Sequence, residues 1–270
     1  MKGIDISQWQ GDMDLTPYKN GFVIIRGGFW TSVDPWAERN IAKCDALGIP
    51  WGLYWYSYAL NEAQAVEEAR TCLKFLAGRK PRLGVWFDME DADGYKAKNG
   101  FPADEMITAM CRAFCAVVED AGNKAGVYAN LDWFENHIGE TGYDKWIAAW
   151  GWNDGEHYPD LSGKCVMQQY RGEPLDLDVM YVPLSYFDSD EQPSPSASGS
   201  HLSQGERQEG DAPSTDASQG ARQEAESVSI PAVAQEVLDG KWGNGEERKQ
   251  KLGAWFYDLV QGEVNRILGV

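Results

Sequence analysis

Through residues 1–187 the chain alternates two patterns: short runs crowded with aromatic and β-branched residues, and longer stretches in which apolar residues return every three or four positions. The runs GIDIS (3–7), FVIIRGG (22–28), WGLYWYSY (51–58), LGVWFDME (83–90), AGVYAN (125–130), KWIAAW (145–150), CVMQQY (165–170) and LDLDVM (175–180) predict about eight strands. Several are apolar on both faces, as expected of a parallel sheet covered by helices.

Helices fill the gaps between the early strands. Asp34 and Pro35 supply an N-cap and a first-turn proline ahead of Ala37, Ile41 and Cys44, and Gly48 is a stop. Asn61 with Gln64 forms a capping-box pattern before Ala65, Ala69, Leu73 and Leu76, and Gly78 ends that helix. Residues 104–121 repeat the scheme with Ile107, Met110, Phe114 and Val117, a spacing that makes Met110 and Phe114 core residues. After residue 131 the helical stretches shorten and the strands crowd together. The pattern therefore predicts an α/β fold, an irregular TIM-like β/α barrel of about eight strands with few helices in its second half.

At residue 188 the pattern stops. Residues 188–228 hold almost no large apolar side chain and are rich in Ser, Gln, Gly, Pro and acids, so burial does not offset the entropy of ordering them. They read as a disordered acidic linker with a root-mean-square span of about 35 Å. Helical periodicity returns in 229–270, where Val233, Val237, Leu238, Leu252, Trp255, Phe256, Leu259, Val260, Val264, Ile267 and Leu268 predict a small three-helix domain.

Charge narrows the partners. With 24 basic and 42 acidic residues the net charge is −18, which opposes binding to nucleic acid and to anionic membrane surfaces. No segment approaches the ~20 apolar residues of a membrane helix, and MKGIDISQWQGD lacks an apolar run of signal-peptide length. Five cysteines without CxxC spacing suit free thiols, and His137, His157 and His201 show no metal-ligand spacing, so neither a metal nor a cofactor is expected.

The chemistry is expected where strands end in acids. In GVWFDMED (84–91), strand alternation puts Asp88 and Glu90 on one face, roughly 6.5 to 7 Å apart. At the C-terminal mouth of a barrel, two such carboxyls disfavour joint ionisation, and a carboxyl that keeps its proton is the acid that glycosidic cleavage needs. Solvated acids at strand ends are the plain alternative. Against it, Asp5 sits in the first run and Asp176 and Asp178 in the last, and closure of a barrel makes those runs neighbours. Aromatics abound for stacking on sugar faces, among them Trp9, Trp30, Trp55, Tyr56, Tyr58, Trp86, Tyr128, Trp150, Trp152 and Tyr170.

GIDISQWQGD, FVIIRGG, GIPWGLYWYSYA, FDMED, GVYANLDWF, WIAAW and QQY with LDLDV occur in the order seen in glycoside hydrolase family 25, the Chalaropsis-type muramidases, which the whole of residues 1–187 resembles. The resemblance implies hydrolysis, with net retention, of the β-1,4 bond between N-acetylmuramic acid and N-acetylglucosamine in peptidoglycan. It makes Glu90 the general acid/base, Asp88 the acid beside it, and Asp5 and Asp176 the acids of the first and last strands. Where the family usually has Asp-x-Asn, this chain has Asp178, which leaves open whether Asp176 or Asp178 faces the sugar. Tyr56, Tyr58, Tyr128, Trp150 and Gln169 are the expected substrate contacts. DGKWGNG and its surroundings resemble a type-7 cell-wall-binding repeat, with Trp242, Asn244 and Arg248 as candidate wall contacts. Together these imply an endolysin made in the cytoplasm and acting on the wall after release. A non-catalytic wall-glycan binder and a glucosaminidase or chitinase-like hydrolase are the alternatives; the first has no need of clustered acids, and the second usually shows a DxxDxDxE spacing absent here.

Overall fold

The computed structural model describes residues 1–188 together with 234–235, 237–241, 243, 248, 261, 264 and 267–268. Nine strands lie in the first stretch: β1 (Lys2–Ile6), β2 (Phe22–Phe29), β3 (Ser32–Val33), β4 (Trp51–Tyr56), β5 (Val85–Asp88), β6 (Ala125–Asn130), β7 (Asp144–Ala148), β8 (Met167–Arg171) and β9 (Leu177–Met180). The order β1-β9-β8-β7-β6-β5-β4-β2 closes on itself through β1 and β2, giving an eight-stranded barrel, and β3 folds back on β2 as a hairpin the sequence patterns did not predict.

Among the barrel strands the parallel pairing expected from the sequence holds for β1, β2 and β4 through β8. β9 instead runs antiparallel to both β8 and β1. The reason is length: only residues 172–176 separate β8 from β9, and a parallel crossover needs about a dozen residues.

Alternation along the strands builds two apolar layers. Ile4, Ile6, Val23, Ile25, Leu53, Trp55, Val85, Phe87 and Val127 turn outward to the helices. Phe22, Ile24, Trp86, Trp146, Met167 and Met180 turn inward and fill the lower half of the barrel, with Phe187 among them. Burial on both sides is why these strands read as nearly unbroken apolar runs. Trp86 and Trp146 meet edge to face at 6.0 Å, and room for them comes from Gly126, where a Cβ would lie 2.3 Å from the Trp86 ring.

Five α-helices lie within residues 1–188: α1 (Ala37–Leu47), α2 (Glu62–Leu76), α3 (Tyr95–Lys98), α4 (Asp104–Asp120) and α5 (Leu131–Asn136). On α4, Ile107, Met110, Phe114 and Val118 are buried, and Phe114 stacks on Phe87 of β5 at 4.2 Å. Asp34 is not the N-cap of α1. Its carboxylate accepts from Arg26 Nε (2.7 Å), the Gln8 amide (3.0 Å) and the Trp36 amide (2.8 Å), so the helix starts after Trp36 without a side-chain cap. Asn61 does cap α2 through the Gln64 amide (3.1 Å), but Gln64 reaches back to the Leu60 amide (2.7 Å) instead of closing the box on Asn61. That helix closes on Ala77, in the left-handed region at φ 49°, one residue before the expected glycine.

Contacts divide the chain into two units, Met1–Pro195 and Ser196–Val270. Asp188, placed in the linker by composition, pairs with Arg82 at 2.6 Å and belongs with the barrel. The rest of the linker, most of the three-helix region, Trp242 and Asn244 lie outside the described residues. All five cysteines are free thiols, and no described helix is long and apolar enough to cross a membrane.

Candidate active site

The inward positions change character from the floor of the barrel to its mouth. Above the tryptophans come Asp5 on β1, Arg26 on β2, Tyr54 and Tyr56 on β4, Asp88 on β5, Tyr128 on β6 and Gln169 on β8. Because β9 runs backwards, its first residues, not its last, meet this mouth: Asp178 pairs across to Gly3 and Gln169, and Asp176 stands just outside the ladder. The β5 ladder ends at Asp88; Met89 turns into the outer core, and Glu90 follows on the mouth side beyond the last strand residue.

Asp5, Asp88, Glu90, Asp176 and Asp178 are thus brought within electrostatic reach of one another. Burial lifts every one of them above the usual carboxylate range, and repulsion from neighbouring acids adds to it, for Glu90 from Asp93 and Asp91. Asp5 is raised by burial and then by Asp178, and Asp88 by burial and then by Glu90. Asp176 is pushed up to about 8 by burial and by Asp5. Glu90 is pushed up to about 6 by burial, while the Lys96 ammonium and a hydrogen bond from Asp88 hold it down. Asp88 is the more deeply buried of that pair, and burial is the first cause of its rise.

Asp176 and Asp178 differ in depth. Asp178 is wholly buried, accepts a hydrogen bond from Trp146 Nε1 at 2.9 Å and lies against Asp5. Asp176 is the partly exposed one at the rim. Gln169 links Asp5 to two aromatics: its Nε2 donates to Asp5 Oδ2 (2.8 Å), and its Oε1 accepts from Tyr128 OH (3.0 Å) and Trp150 Nε1 (2.8 Å). Trp150 remains 41% exposed, so one ring edge is tied to the acids while the rest is open to a ligand. Tyr56 and Tyr58 pack together at 5.1 Å, and Tyr58 OH is bonded to Asp93 at 2.7 Å.

Other expected aromatics are elsewhere. Trp55 faces the helices, Trp86 fills the barrel interior, and Tyr170 points outward onto Tyr158. Three residues at the mouth escaped sequence reading. Arg26 hides inside the apolar run FVIIRGG, yet faces inward, holds Asp34 and acts on Asp88. Tyr54 stands among Asp5, Asp88 and Asp176. Lys96 lies behind the acid pair, bonded to the Glu90 carbonyl. Among the described residues no group of His, Cys, Asp and Glu is arranged to hold a metal ion. In the second unit, Arg248 bonds the Gly243 carbonyl (2.9 and 3.0 Å) and Gln261 Oε1 (3.0 Å).

Comparison with known proteins gives two family matches: the model of glycosyl hydrolases family 25 over residues 4–176, and that of the CW_7 repeat over residues 231–268. A lysozyme of Streptococcus phage Cp-7 is 26% identical over 232 residues; the match covers 81% of this chain but only 56% of that relative's length. Among solved structures, a family 25 glycosyl hydrolase from Bacillus anthracis superposes with a TM-score of 0.58 at 21% identity, covering 71% of this chain and 94% of the other. The catalytic domain of endolysin ply40 from bacteriophage P40 of Listeria monocytogenes gives 0.55 at 24% identity, covering 67% and 92%. At these identities the superpositions speak for a shared fold.

Proposed function

The chain belongs to glycosyl hydrolases family 25, and from that membership we propose that it is an N-acetylmuramidase of the endolysin type, cutting the β-1,4 bond between N-acetylmuramic acid and N-acetylglucosamine. The observation that carries this reading is the gathering of Asp5, Asp88, Glu90 and Asp176, from strands at both ends of the fold, at one mouth of the barrel. Glu90 is the proton donor: below about pH 6 it is protonated, and it stands where a bound glycan can reach it. As the glycosidic bond lengthens, its proton passes to the leaving oxygen. Positive charge then grows on the anomeric carbon, facing the acids across the mouth. Glu90, now a carboxylate, takes a proton from the water that completes hydrolysis. Asp88 orients Glu90 through their shared hydrogen bond. Gln169 fixes Asp5, and Trp150, Tyr56, Tyr58 and Tyr128 offer ring faces to the sugars. Residues 229–270 serve as a wall-binding module, a role supported by the repeat they match, joined to the barrel through the linker at 188–228.

Digestion of purified peptidoglycan with identification of the new reducing ends tests the reading. Muramic acid ends are expected. Glucosamine ends would make the enzyme a glucosaminidase, and no release would leave a wall-glycan binder. Glu90→Gln is expected to cut turnover by about 10³-fold or more with the fold intact; near-normal turnover would remove Glu90 from the chemistry.

A further inference from the structure

Lys96 is buried to 1% exposure in the short helix α3, six residues beyond Glu90. A buried ammonium demands both hydrogen-bond acceptors and opposing charge. Its Nζ donates to the carbonyl of Ser57, just past the end of β4, and to the carbonyl of Glu90 itself at 2.8 Å. The two bonds tie the backbone that leaves β5 to the backbone that leaves β4. Glu90 has passed the end of the ladder, so this bridge does for its main chain what strand pairing does for Asp88. The turn carrying Lys96 is held in its own right: Asp91 accepts from the Lys96 amide (2.6 Å) and the Ala97 amide (2.9 Å), and Asp93 anchors Tyr58.

The charges around the ammonium are unequal. Glu68 faces it from α2, fully buried and bonded to the Tyr58 amide at 2.7 Å, and Cys111 faces it from α4. Asp88 and Glu90 face it from the end of β5, and Asp91 from its own loop. Glu90 in turn meets Asp93 from the loop, Tyr56 and Tyr128 from β4 and β6, and Asp5 and Asp176 from across the mouth. Burial pushes Glu68 up to about 8, so below that pH it is largely a neutral acceptor and leaves the ammonium to act on the acid pair.

We propose that Lys96 is a positioning residue for the proton donor: it clamps the main chain of Glu90 to the neighbouring strand end and holds a buried positive charge behind Asp88 and Glu90. Such a charge favours the carboxylate form of Glu90, so it sets the pH at which the enzyme loses its acid. This rests on the reading of Glu90 as the donor. Lys96→Gln keeps a hydrogen-bonding head and removes the charge, whereas Lys96→Met removes both.

The test is a ¹³C titration of the labelled Glu90 carboxyl, assigned by its absence in Glu90→Gln. Lys96→Gln is expected to raise the titration midpoint by about one pH unit, and the alkaline limb of kcat/KM with it. Lys96→Met is expected to add a fall in kcat from misplacement of the donor. An unmoved midpoint in either folded variant overturns the proposal. Burial lowers the pKa of Lys96, yet in the unaltered chain it is expected to remain an ammonium throughout the titration of Glu90; a neutral amine there also overturns the proposal and needs no variant to fold. The titrations are independent of turnover, so an inactive wild-type chain would sink the muramidase reading while leaving this one testable.

Discussion

At the scale of single residues, the mouth of the barrel consists of acids that burial keeps protonated. The same property makes folding pH-dependent. An acid whose folded pKa is raised binds more protons in the native state than in the unfolded chain, so its contribution is fully present below the unfolded value of about 4 and is lost as pH rises through the folded value. Asp176 and Glu68, both pushed up to about 8, place that window between about pH 4 and about pH 8. The melting temperature is therefore expected to fall across it, and Glu68→Gln, neutral at every pH, to flatten the decline. Calorimetric scans at several pH values check both; a melting temperature that rises toward pH 8 contradicts the assignment. Asp178 shows what one substituted atom does in this setting. An amide there would offer hydrogens to Asp5, whereas the Asp178 carboxyl accepts from Asp5 and so favours the protonated form of Asp5.

At the scale of elements, hydrophobic patterning was enough to locate eight barrel strands and three long helices, because each is buried along a continuous face. It could not locate β3, whose two residues carry no periodicity, nor the direction of β9, which is decided by the five residues before it. Asp88 and Glu90 were legible as a pair from an acid-x-acid run after apolar residues. Arg26 and Lys96 were not, since nothing local distinguishes a basic residue turned inward from one turned to water. Local rules do carry energetic weight where the structure uses them. Asn61→Ala removes the bond to the Gln64 amide and is expected to cost about 1 kcal/mol, measured as a shift in denaturation midpoint. Gly126→Ala pushes a methyl into the Trp86 ring and is expected to cost about 1 to 3 kcal/mol, read by the same measurement with near-UV dichroism reporting the tryptophans.

For the molecule as a whole, the excess of acids shapes the approach to substrate. Residues 229–270 carry 6 acids and 5 bases, so nearly all of the net −18 resides in the rest of the chain. On the proposed muramidase reading, encounter with an anionic cell wall proceeds against repulsion, and the rate of wall digestion is expected to rise as salt is increased from about 10 mM to about 150 mM. Turbidity clearing of wall suspensions across that range reads it; slowing with added salt would point to electrostatic attraction instead. A chain ending at residue 195 is expected to keep its activity on short soluble glycans and to lose about tenfold or more on intact walls, through loss of tethering. The reversed closing strand has a consequence for how such a barrel tolerates change. Gln169 faces Asp178 and Arg171 faces Leu177, so the ladder already absorbs one odd residue where the chain turns back, while a slip of the whole strand by one residue would swing Asp178 from the lumen to the outside. A change of length in this seam therefore leaves the acids inward only where such a bulge takes up the odd residue.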